Sequence, residues 1–192
     1  MIDIRQIVDI AKDAGKAVLD VYHGSSGVTY ETKSDGSPLT KADLASNKII
    51  VSALKKINKV IPIVSEEQQL ETECLKAKEA ERYWLVDPLD GTKEFIKRNG
   101  QFTVNIALIE NNRPLMGVVY APALDLMYYG AVGSGAQKVD RLGRVLNLPI
   151  QAEDSESTFK VVVSNSHMND ATSDYISDLP EQKDRKVELV PM

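Results

Sequence analysis

The sequence predicts a mixed α/β chain, on three observations: helical spacing near the N-terminus, a helix-start signal at Thr40, and a series of β-rich runs from Tyr83 onward. Between Ile4 and Tyr22 the apolar residues Ile4, Ile7, Val8, Ala11, Ala14, Val18, Val21 and Tyr22 recur at steps of three and four, which gathers them on one helix face. His23-Gly24-Ser25-Ser26-Gly27 ends that helix. Ser34-Asp35-Gly36-Ser37-Pro38 marks a second turn, with a short strand at Val28 to Thr32 between the two. Thr40-Lys41-Ala42-Asp43 has the form of a capping box, with Leu39 and Leu44 at the positions of a hydrophobic staple, so a second helix begins near Lys41. It runs through Ile50, Val51, Leu54 and Ile57, and Pro62 bars its continuation. Ile61 to Val64 then reads as a short buried strand that stops at Ser65-Glu66-Glu67.

Residues Gln68 to Arg82 are polar with weak helical periodicity, a surface excursion between two core strands. Tyr83-Trp84-Leu85-Val86 is a continuous apolar run that also stops at an acid, Asp87, and Pro88 cannot continue an inner strand. Phe102 to Ile109, a turn at Asn111-Asn112-Arg113, Pro114 to Tyr120 and Leu126 to Val132 follow as an antiparallel meander, its last member loosened by Gly130, Gly133 and Gly135. After a polar linker, Gln151 to Ser157, a new strand at Phe159 to Val163 and a helix near Asn169 to Ser177 begin a second unit. The expected division is an N-terminal α+β domain over 1–150 and the start of a C-terminal α/β domain over 158–192.

With 192 residues, 43% hydrophobic and 27% charged, the chain has the make-up of a globular protein with a sizeable core. Its net charge of −5 excludes an extended basic surface for a nucleic-acid polymer. A small anionic substrate then needs a locally recruited cation, and a divalent metal serves. Cys74, His23 and His167 are too few and too scattered for zinc, and one cysteine makes no internal disulfide. Acidic residues break the first ten positions, so no signal-peptide core is read there, and no apolar run approaches a membrane span. A cytoplasmic protein is the expectation.

Glu66, Asp87 and Asp90 stand at or just beyond predicted strand ends, where side chains from neighbouring strands converge. Asp-Pro or Asp-Gly alone marks only a turn. Together, two carboxylates ~5 Å apart at an effective dielectric of ~20 repel by ~3 kcal/mol, so a group of them calls for a cation. Oxygen ligands select Mg²⁺ or Mn²⁺. The Leu89 carbonyl can face the same ions, Gly91 lets a phosphate approach the backbone, and the Thr92 hydroxyl can orient a water.

The string Trp84-Leu85-Val86-Asp87-Pro88-Leu89-Asp90-Gly91-Thr92-Lys93-Glu94-Phe95, with Ser65-Glu66-Glu67 ahead of it, resembles the signature of the inositol monophosphatase superfamily. The Lys93-Glu94-Phe95 ending and the run to Asn105 are similar to its bacterial 3′(2′),5′-bisphosphate nucleotidases. The resemblance implies a layered sugar-phosphatase fold and Mg²⁺-dependent hydrolysis of 3′-phosphoadenosine 5′-phosphate to AMP and phosphate, with Li⁺ inhibition. Inositol monophosphate or a sugar bisphosphate is the alternative substrate, and a non-catalytic module binding Mg²⁺ and a nucleotide is the alternative of another class. By the same resemblance Glu66, Asp87, Asp90 and Leu89 bind metal, two or more ions in the complete family site. Glu66, Leu89, Asp90, Gly91, Thr92 and Lys93 contact substrate, and Asp43 helps Thr92 activate the water. Lys93 would neutralise a second phosphate. Glu67 is left open among an outer-sphere group, a further ligand and an exposed residue, and His167 is given no chemistry. A second copy of the chain is carried as a candidate partner. The superfamily's second signature, Trp-Asp followed by small residues, has no counterpart here, since Trp84 is the one tryptophan. The sequence therefore reads as a truncated family member.

Overall fold

The computed structural model describes residues 2–24, 29–33, 36–68, 70–149, 158–163, 168–177 and 186–191. Helix α1 spans Ile4–Tyr22, as the apolar spacing predicts, and Asp3 opens it with a capping box closed by Gln6. The strands β1 (Tyr30–Thr32) and β2 (Pro38–Thr40) pair antiparallel as a hairpin. Helix α2, Lys41–Ile57, starts at the predicted box: Thr40 caps it and Asp43 returns a hydrogen bond to the Thr40 backbone. Leu44 is half exposed, so the expected staple contributes little there.

A seven-stranded sheet follows in the order β3 (Ile63–Ser65), β4 (Arg82–Asp90), β5 (Thr103–Glu110), β6 (Arg113–Ala121), β7 (Leu126–Ala131), β8 (Gly135–Val139), β9 (Val145–Leu148). β3 and β4 are parallel, and the other neighbours are antiparallel. The connection between the parallel pair is helix α3 (Leu70–Glu79), where the polar excursion is predicted. Asn111 and Asn112, both at positive φ, make the tight β5–β6 turn, a conformation that asparagine tolerates.

Two expectations are corrected. Pro88 does not end β4, which runs to Asp90. Pairing with β3 stops at Val86, and on the other side the ladder to β5 shifts register between Asp87 and Asp90, so the missing Pro88 N–H falls in a bulge with no ladder partner on either side. The meander also continues past Val132 into β8 and β9: Gly133 and Gly135, at positive φ, form a hairpin turn instead of ending the sheet.

Helices α1 and α2 cover one face of this sheet. Ile7, Ala11, Ala14 and Val18 of α1 and Ile50 and Leu54 of α2 enclose Trp84, Ile106, Leu108 and Val118 from alternate strand positions. Gly15 lets α1 lie against β6, because a Cβ there would sit 2.5 Å from the Tyr120 ring. The opposite face carries Leu85, Val119 and Tyr128, all substantially exposed.

The chain divides into two compact units, Met1–Ile150 and Gln151–Met192. In the second, β10 (Thr158–Val163) and β11 (Lys186–Pro191) pair in parallel, and helix α5 spans Asp170–Ser177. The Gln151–Ser157 linker and the Ser164 to His167 string lie outside the described residues. Among the described residues no helix is long and apolar enough to cross a membrane.

Candidate active site

The ends of β3 and β4 bring the predicted acids together. Parallel pairing sets Ser65 opposite Val86, and the Glu66 N–H donates to the Val86 carbonyl, so Glu66 and Asp87 leave adjacent strands at the same level. Both Glu66 and Asp90 act electrostatically on Asp87. Burial first, then the neighbouring charges of Glu66 and Asp90, push the Asp87 carboxyl up to about 7.

The bulge shapes the rest. The Leu89 N–H turns back to Asp87 Oδ1 at 3.2 Å, while the Leu89 side chain is buried and anchors the loop. Gly91 follows at φ 88°, a left-handed conformation, and caps the short helix α4 (Thr92–Ile96) without a side-chain hydrogen bond. The first-turn N–H groups of α4 therefore have no intrahelical acceptor. Phe95 and Phe102 pack edge to face behind this turn, with Tyr22 of α1 against both.

Asp43 is buried on α2 and meets Thr92 across 49 residues of sequence: the Thr92 hydroxyl lies 3.3 Å from Asp43 Oδ1 and 3.2 Å from the Leu89 carbonyl. One hydroxyl proton serves one of those acceptors at a time. Asp43 Oδ2 receives the Thr40 N–H at 2.8 Å and the Thr40 hydroxyl at 2.5 Å. Burial raises the Asp43 carboxyl, while the hydrogen bonds from Thr40 and Thr92 work the other way. The capping box and the contact with Thr92 are thus one arrangement. Lys93 is exposed on α4.

Four residues with parts in this geometry carry no strong sequence signal. Ser46, one turn beyond Asp43 on α2, donates to the Pro88 carbonyl at 2.7 Å inside the core. Asn47 accepts from the Ser65 hydroxyl at 2.8 Å. A polar residue inside the buried stripe Ala42, Ser46, Ile50 is the signal that marks Ser46. Lys33, just before the β1–β2 turn, places its ammonium 2.9 Å from Glu66 and 2.6 Å from Glu67. Burial opposes its charge, but the bonds to Glu67 and Glu66 win and hold it at about 12. Glu67, 5% exposed at its side chain, is therefore an interior ion-pair partner and not a surface residue. Finally, Asn105 of β5 donates to Asp90 Oδ2 at 3.2 Å.

Among the described residues no three histidine, cysteine or acidic side chains stand ready-arranged around one point. The donor set nonetheless fits a hard divalent cation: it is all oxygen, it includes the backbone carbonyl of Leu89, and Lys33 already answers part of its charge.

A sheet backed by two helices thus gathers acids, a carbonyl and a hydroxyl at one strand end. The chain belongs to the inositol monophosphatase family, matched over residues 3–187. It is 43% identical over 180 residues to the 3′(2′),5′-bisphosphate nucleotidase CysQ of Salmonella typhimurium, covering 94% of this chain and 70% of that protein. The same-named protein of Escherichia coli K12 is 40% identical over 178 residues, 93% of this chain and 70% of the relative. Among solved structures, CysQ from Bacteroides thetaiotaomicron, described as a bacterial member of the inositol monophosphatase family, superposes with a TM-score of 0.80 at 35% identity, over 98% of this chain and 71% of that one.

Proposed function

We propose that this chain carries the phosphate-hydrolysing centre of a Mg²⁺-dependent 3′(2′),5′-bisphosphate nucleotidase, converting 3′-phosphoadenosine 5′-phosphate to AMP and phosphate. The observation that carries the reading is the junction of Asp43, Thr92 and the Leu89 carbonyl beside Glu66, Asp87 and Asp90, within a chain about two-fifths identical to named nucleotidases.

Glu66, Asp87, Asp90 and the Leu89 carbonyl would hold the cation. When bound, Mg²⁺ supplies positive charge to the phosphate and lowers the pKa of a water. The remaining work belongs to the chain. Thr92 donates a hydrogen bond to Asp43 Oδ1, which turns an oxygen lone pair toward the attacking water and orients it in line with the phosphorus. Thr40 keeps the Asp43 carboxylate from rotating by occupying Oδ2 through two hydrogen bonds. Gly91 brings the backbone of its turn close to the phosphate. Lys93, exposed beside that turn, faces the second phosphate that distinguishes a bisphosphate nucleotide from inositol phosphate.

The test is phosphate release by this chain and its Asp90→Asn variant, on 3′-phosphoadenosine 5′-phosphate and on inositol 1-phosphate. Preference for the nucleotide, with loss of more than nine-tenths of turnover in the variant, is the expected result. Equal turnover of both substrates would reassign the chain to the inositol phosphatases. Nucleotide binding with no phosphate release would make it a binding module.

A further inference from the structure

Asn105 is an unusual residue for its place. It sits in the middle of the sheet, opposite Asp87 on β4 and Val119 on β6, and its side chain emerges on the face away from α1 and α2. Its surroundings there are a groove of ≈ 530 Å³ lined by Leu85, Ala107, Gly117 and Val119 at the apolar end and by Glu66 and Asp87 at the other. Asparagine is disfavoured in strands, and neighbours of this kind give it nothing to bond to. One end of the amide is accounted for, since Nδ2 donates to Asp90 Oδ2 at 3.2 Å. The other end is not: Oδ1 is buried and has no hydrogen-bond partner among the described residues. A buried acceptor left unsatisfied costs about 1–3 kcal/mol, so its retention calls for a donor that arrives from outside.

The neighbouring groups limit what that donor is. With a cation bound, Glu66, Asp87 and Asp90 are ionised acceptors, and none can then serve Oδ1. We propose that Asn105 is a positioning residue of the cation site: Nδ2 fixes the Asp90 carboxylate, and Oδ1 accepts from a water carried in with the divalent ion. This rests on the metal reading of the same site given above. Asp90 lies beyond the bulge on a partly open strand end, and Asn105, held centrally between β4 and β6, is a rigid support for it. Groups of this kind, bonded to ligands without touching the metal, typically set affinity by 10–100-fold.

The experiment uses the full 192-residue chain and titrates Mn²⁺ into metal-free wild type, Asn105→Leu and Asn105→Ser by calorimetry, with melting temperatures measured in chelator. Asn105→Leu fills the space but removes both bonds, and an affinity loss of about tenfold or more is expected. Asn105→Ser keeps a hydroxyl on a shorter arm, and a smaller loss of about threefold or more is expected, within the same range of outer-group effects. Both variants should still unfold cooperatively in chelator, the removal of the unmet acceptor in Asn105→Leu offsetting the lost bond to Asp90. Water-proton relaxation per bound Mn²⁺ should also change in Asn105→Leu, since the held water is released. Affinity within twofold of wild type in a folded Asn105→Leu protein overturns the positioning role, and unchanged relaxation overturns the acceptor role. If Asn105→Leu does not fold, wild-type affinity in Asn105→Ser overturns the proposal in its place. Failure of wild type itself to bind Mn²⁺ would remove the metal reading first and this inference with it, an outcome distinct from a wild type that binds and variants that bind equally well.

Discussion

Replacing Gly91 with alanine tests whether the turn between Asp90 and Thr92 is set by crowding or by local conformation alone. Gly91 adopts φ 88°, and an added Cβ would lie 2.8 Å from the Gln101 carbonyl oxygen and 3.3 Å from the Phe102 Cα. The left-handed conformation costs a non-glycine residue about 1–2 kcal/mol. Backbone atoms cannot rotate away, so the clash adds a cost of the overpacking kind, about 1–3 kcal/mol. Gly143 is the internal control: it has φ 73° with nothing within 4 Å of its added Cβ, so Gly143→Ala bears the conformational cost only. At about 2–4 °C of melting temperature per kcal/mol for a chain of this size, the combined cost of about 2–5 kcal/mol should make Gly91→Ala melt about 4–20 °C below wild type. Gly143→Ala should fall by about half that or less. The assay is thermal unfolding followed by circular dichroism, with phosphate release measured beside it. A shift of the turn moves Thr92 off Asp43, and displacements near 1 Å cost about 100-fold in rate, so the Gly91 variant should lose activity while the Gly143 variant keeps it. Equal melting temperatures for the two variants would refute the crowding argument.

Further expectations follow from the interior polar contacts. Ser46→Ala leaves the Pro88 carbonyl buried without its donor and should destabilise the chain by about 1–3 kcal/mol; an unchanged urea midpoint would show that the loop does not depend on this bond. Asp87 rises from 3.8 in the unfolded chain to about 7 in the fold, so the metal-free protein should lose stability as pH climbs from about 4 to about 7 and level off above. The ceiling of that loss is about 4 kcal/mol, and partial solvent access lowers it to about 1–2. Urea unfolding at pH 5 and pH 8, with chelator and with saturating Mg²⁺, checks it: a metal-free protein more stable at pH 8 would contradict the sign. Lys33→Met leaves Glu67 without its interior partner, and the expected cost in chelator is about 1–3 kcal/mol, largely recovered when Mg²⁺ is added. An equal loss with and without Mg²⁺ would mean that Lys33 does not share the task of the cation.

What the sequence determined by itself was local. The apolar stripe of Ile4 to Tyr22 and the box at Thr40 and Asp43 specify two helices, because their signals lie within a few residues of one another and are repaid by neighbouring backbone groups. The alternation from Phe102 to Tyr120 likewise names its own strands. The string around Asp87, Asp90 and Thr92 pointed to phosphate chemistry through family likeness and through charge that needs a counter-ion. The tertiary structure decided which of those residues meet. Pro88 lies inside a strand because β3 is too short to reach it and β5 pairs out of step, facts that belong to the neighbouring strands and not to the proline. Asp43 reaches Thr92, Ser46 reaches Pro88 and Asn47 reaches Ser65 because one helix lies across the ends of β3 and β4, two segments remote from it in sequence. Lys33 and Asn105 join the acids for the same reason: a hydrogen bond depends on separation in space, and pairing across a sheet brings together residues that no local pattern relates.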